Sequence, residues 1–124
     1  VEIHFVEPNR VESLVRAVPD EDGNMDAPEP LEEMIFEGGI EFELIPDVPD
    51  TPNRFGNGTA ISLGGASPVM FSSEGAFINA GNEPINASVF LAVPNDPLSP
   101  TAITILGPTA TIERWLWNGA RWTK

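Results

Sequence analysis

The sequence predicts an all-β protein: an antiparallel β-sandwich or jelly roll preceded by an acidic, irregular N-terminal arm with one short helix. Three observations lead there. From Ala60 onward, short β-prone runs alternate with Gly, Pro, Asn and Ser clusters, at the roughly 8–12-residue spacing of strands joined by turns. The chain ends on an Asn-Gly turn, Asn118-Gly119, set between apolar runs. An earlier apolar run is broken by Gly38-Gly39, a second hairpin signal.

Taken in order, Glu2–Val6 reads as a strand with Ile3 and Phe5 on one face and Glu2, His4 and Val6 on the other. His4 is the only histidine and reads as an ordinary surface or packing residue. Pro8-Asn9 then opens a short helix, Arg10 to Ala17. Asn9 is its N-cap, and Val11, Leu14 and Val15 recur at helical spacing. So short a helix needs something to dock on.

Val18 to Pro30 is acidic and Pro-rich, the composition of a segment that orders only when held against its own domain or a neighbouring subunit. Within it Asp20, Asp22, Asn24 and Asp26 alternate like the first half of a Ca²⁺ loop. The match stops there. The sixth position, where the loop needs Gly, is Met25, and the twelfth, where it needs Glu, is Leu31. A solvated acidic loop is the better reading, with a loose surface Ca²⁺ site as the alternative; no other cofactor is expected.

Glu32 to Leu44 predicts a hairpin. A three-residue loop, Glu37-Gly38-Gly39, puts Met34, Phe36, Ile40 and Phe42 on one face and Glu33, Ile35, Glu41 and Glu43 on the other. The carboxylates then form a solubilising row rather than a catalytic pair. Ile45 to Thr59 is a long irregular connection. It suggests a division into an arm over residues 1–50 and a β unit over residues 51–124. The strands of that unit are Ala60–Leu63, Val69–Phe71, Ala76–Asn79, Ser88–Val93, Thr101–Leu106, Thr109–Trp117 and Ala120–Thr123.

The closing hairpin holds all three tryptophans. A two-residue loop sets Trp117 opposite Ala120, Trp115 opposite Trp122 and Glu113 opposite Lys124. Trp115, Trp117 and Trp122 then share a face, while Arg114, Leu116 and Arg121 take the other. Two readings compete for the tryptophans: a core face or subunit interface, and an exposed platform on which sugar rings stack.

Charge is unevenly placed. Residues 1–50 carry fifteen carboxylates against Arg10 and Arg16, a net of −13, and the rest of the chain is neutral. A surface this acidic repels phosphate backbones, which argues against nucleic-acid binding. With no Cys and one His, neither a disulfide framework nor the usual nucleophile–base pairs can be assembled, so no enzyme is expected. No apolar run approaches the roughly 20 residues of a membrane-spanning helix.

The string W-x-W-N-G-x-x-W, Trp115 to Trp122, resembles a pattern that closes small β units in tail, fibre and baseplate proteins of tailed bacteriophages and related particles. The resemblance implies a structural virion component, assembled in the host cytoplasm, whose partners are copies of itself and other virion proteins. The alternative is a carbohydrate-binding β-sandwich module that takes a surface glycan on its tryptophans. The acidic arm also has little apolar area to offset an ordering cost of roughly 1–2 kcal/mol per residue, which points to a partner surface. Arg114, Arg121 and Lys124 are the charges that a neighbour's acidic arm would meet.

Overall fold

The computed structural model describes residues 2–15, 29–64 and 69–124. Its strands are β1 (Glu2–Val6), β2 (Arg10–Val15), β3 (Glu29–Ile35), β4 (Glu41–Phe42), β5 (Ile61–Ser62), β6 (Val69–Phe71), β7 (Phe77–Asn79), β8 (Ala87–Ala92), β9 (Thr101–Leu106), β10 (Thr111–Trp117) and β11 (Trp122–Thr123). A 3₁₀ turn, Gly107–Thr109, joins β9 to β10. Sheet one runs β3-β2-β1-β6-β7 and sheet two runs β11-β10-β9-β8-β4, with β5 sharing the β8 edge with β4. All of these pairings are antiparallel, as the alternating pattern predicts.

The first fifty residues depart most from expectation. The stretch read as a helix from Arg10 is strand β2, paired with β1 on one side and β3 on the other. The string alternates only over Arg10-Val11-Glu12, with a register shift between Ser13 and Leu14, but two neighbouring strands satisfy its backbone where an isolated turn of helix cannot. The arm is therefore not irregular where it is described. It supplies three strands of sheet one, and the boundary drawn at residue 50 runs through both sheets rather than between them.

The predicted Glu32–Leu44 hairpin does not form. β3 pairs with β2, while β4 pairs with β8 in the other sheet. Gly38 (φ 70°) and Gly39 (φ 77°) carry the chain across in the left-handed region that glycine tolerates. The crossing stays close to the β1–β2 turn, where Phe36 N–H donates to the Asn9 carbonyl at 2.9 Å and Phe42 N–H to the Pro8 carbonyl at 2.7 Å. Two bare strands are marginal on their own, and each gains more by joining an existing sheet. The apolar grouping partly survives: Phe36 stands edge-on to Phe42, with ring centroids 5.3 Å apart.

Sheet two carries a buried cluster on each of its faces. One face meets sheet one through Val69, Phe77, Ala87 and Ile105, with Ile3, Phe5 and Phe71 packed around them. The opposite face carries Phe90, Ala102, Trp115 and Trp122, covered by Leu44 and Val48 from the connection between β4 and β5. The alternation of β8 and β9 explains the arrangement. Val89 and Ile103 are cross-strand partners turned toward sheet one, and Phe90 and Ala102 are partners turned away from it.

Candidate functional site

The C-terminal hairpin forms with a register two residues away from the expected one. Trp117 opposes Trp122, and Leu116 opposes Thr123. Asn118 causes the slip. Its side-chain oxygen accepts from the Ala120 and Arg121 N–H groups at 2.9 and 2.8 Å, while its own N–H donates to the Arg121 carbonyl at 3.2 Å. The turn therefore spans residues 118–121. A slip of two leaves the three tryptophans on one face, as expected. Lys124 still reaches Glu113, at 3.1 Å, and its ammonium lies 5.0 Å from the centre of the Trp115 ring.

Of the two readings of the tryptophans, burial favours the core face. Trp115 and Trp122 are 8% and 7% exposed. The Trp115 indole N–H donates to Thr104 Oγ1 at 3.1 Å, and the same oxygen accepts from Asn53 Nδ2 at 2.9 Å. The Trp122 indole N–H donates to the Pro49 carbonyl at 2.8 Å. Trp117 keeps part of its surface but tilts 59° to Trp122, so the two rings do not form a flat platform. The long irregular connection thus acts as a strap over the tryptophan face.

The strap is built rather than slack. Asp50 accepts from Thr51 N–H at 2.8 Å through one oxygen and from Gly56 N–H at 3.0 Å through the other. A Cβ at Gly56 would come within 2.6 Å of that carboxylate, which explains the glycine. A turn closes where Arg54 N–H donates to the Thr51 carbonyl at 2.9 Å, and Arg54 sits at φ 58°. Between strap and hairpin lies an open groove of about 740 Å³, bordered by Arg54, Trp117, Arg121 and Asp50. Sequence reasoning singled out Trp117 and Arg121 but not Arg54 or Asp50. The available signal was D-T-P-N, with Pro52 at the second position of a turn.

Arg114 lies elsewhere. It is the cross-strand partner of Ile103, on the face of sheet two that looks toward sheet one. The structure therefore separates two arginines that the sequence grouped together. That face carries an apolar cleft of about 400 Å³ between the sheets, with Ile3, Phe5, Met34, Leu91 and Ile103 among its walls. Its floor continues onto β10 as Ile112 and Leu116, the neighbours of Ile105 and Thr101. These two are 57% and 42% exposed, and Met34 at the cleft's other margin is 56% exposed.

The expected carboxylate row is split. Glu33 stays in sheet one, whereas Glu41 joins sheet two. His4 stands 3.6 Å from Glu2. The proposed Ca²⁺ ligands Asp20, Asp22, Asn24 and Asp26 lie outside the described residues. Among the described residues, no group of three or more His, Asp or Glu side chains is placed to hold a metal, and no helix is long and apolar enough to cross a membrane. No protein family, curated protein or solved structure matches the chain.

Proposed function

We propose that this protein is a non-catalytic assembly module, a structural component that works by contacts with copies of itself in a larger particle. The supporting observation is the uncovered apolar floor of sheet two. Ile112 and Leu116 extend the face that sheet one covers elsewhere, and among the described residues nothing covers them. Exposed apolar side chains grouped on one sheet face, here on either side of Arg114, are the kind of surface that a protein interface covers. The Trp115–Trp122 string adds the resemblance to tail, fibre and baseplate components, which makes a phage-like virion the particle of first choice.

The test is self-association. Burying one Leu or Ile side chain contributes roughly 1.5–3 kcal/mol, a factor of about 10–100 in affinity. The double variant Ile112→Asp/Leu116→Asp is therefore expected to weaken self-association at least about tenfold, as read by sedimentation. Unchanged association in a folded variant would overturn this reading. A glycan-binding module is the second reading, carried by Trp117 at the edge of the open groove.

A further inference from the structure

The groove between strap and hairpin presents two guanidinium groups, Arg54 and Arg121, beside the single carboxylate of Asp50. Among the described residues, the cations in ion pairs are Arg10, with Glu12 at 3.3 Å, and Lys124, with Glu113 at 3.1 Å; His4 also stands 3.6 Å from Glu2. Among the described residues Arg54 and Arg121 have no carboxylate within pairing distance, and both are exposed. Asp50 is held in place by the strap N–H groups of Thr51 and Gly56 and keeps its charge, so the two arginines outnumber it in the groove. The strap's hydrogen bonds hold the groove open in advance, so little ordering is left for a ligand to drive.

The outer face of sheet one has the opposite problem. Glu12 and Glu33 are direct cross-strand partners in β2 and β3. Like charges in that position repel. Arg10 relieves Glu12 from within its own strand, but Glu33 is exposed and has no cation within pairing distance among the described residues.

Resting on the assembly reading, we infer that copies of this chain associate head to tail, the Arg54–Arg121 groove of one copy receiving Glu12 and Glu33 of the next. A symmetric groove-to-groove contact would set guanidinium against guanidinium, so this surface does not support an isologous dimer. A heterologous contact closes into a ring or extends as a filament. It places the arginines of one copy on the facing Glu12–Glu33 pair of another, the complementarity that fixes register and partner.

Two charge reversals and their mixture test this. Arg54→Glu/Arg121→Glu makes the groove acidic, and Glu12→Arg/Glu33→Arg makes the outer face basic. Each variant alone is expected to self-associate at least roughly tenfold more weakly than the wild type. An equimolar mixture is expected to recover association, because each variant supplies the complement the other needs. Circular dichroism and thermal melting confirm that both fold, and Arg54→Gln/Arg121→Gln serves as a milder form of the first. Reversed variants that associate like the wild type, or folded variants whose mixture stays monomeric, would overturn the head-to-tail contact. If charge reversal changes nothing while Ile112→Asp/Leu116→Asp abolishes association, the assembly reading stands and this contact falls. A wild type that never self-associates removes both.

Discussion

Gly107 shows how narrow the tolerance is at single positions. It is buried at the start of the 3₁₀ turn, its N–H donates to Asn86 Oδ1 at 3.0 Å, and an added Cβ would lie 2.3 Å from the Ile85 carbonyl oxygen. The obstacle is backbone, which cannot swing aside. Gly107→Ala is expected to destabilise the fold by about 1–3 kcal/mol, the usual cost of overpacking, measured by urea denaturation. Thr104 is the counterpart on the tryptophan face, since one hydroxyl oxygen accepts from both Trp115 and Asn53. Thr104→Val keeps the shape and removes that acceptor, leaving two buried-side donors unmet. A loss of roughly 1–3 kcal/mol is expected, and Thr104→Ser, which keeps the hydroxyl, should lose distinctly less in the same denaturation series.

Among the elements, the strap carries the clearest prediction. Asp50→Ala removes two hydrogen bonds of roughly 0.5–1.5 kcal/mol each and frees the loop whose Pro49 carbonyl holds the Trp122 indole. Red-shifted tryptophan emission with little loss of far-ultraviolet strand signal is the expected result; an unchanged spectrum would mean the strap is held by something else. The strands themselves were legible in the sequence. Glu2–Val6, Val69–Phe71 and Thr101–Leu106 coincide with β1, β6 and β9, because alternation bounded by turn residues is a local signal. Choice of partner was not legible. Glu32–Leu44 has the pattern of a hairpin, yet its two halves join different sheets, and nothing local records that β2 and β8 offer free edges. The same limit applied at β2, where Val11, Leu14 and Val15 satisfy helical spacing and neighbouring strands decide the outcome. That the three tryptophans share one face followed from alternation even though the register slipped by two; that the face is buried did not. The strap above them did not, because Pro49, Asp50, Thr51 and Asn53 act through polar contacts that leave no periodic trace.

At the scale of the whole molecule, the two sheets seal together around Val69, Phe77, Ala87 and Ile105, while Ile112 and Leu116 on the neighbouring strand β10 stay 57% and 42% exposed. The chain also carries a net charge of −13, all of it in its first fifty residues, so copies repel except where the proposed groove contact brings opposite charges together. Added salt screens both terms, with a Debye length of about 10 Å at 0.1 M. If the groove contact orients assembly, association should weaken as salt rises from about 0.05 to about 0.5 M, which light scattering reads directly. If apolar burial alone drives it, salt should leave association unchanged or strengthen it.

The most direct test of the assembly account is sedimentation equilibrium of the wild-type chain over a range of concentrations. The account predicts a weight-average mass that rises above the 13.4 kDa of one chain as concentration increases, and that falls back toward it in Ile112→Asp/Leu116→Asp. A mass fixed at 13.4 kDa up to about 100 μM, where a contact of roughly −5.5 kcal/mol is already half formed, would contradict it.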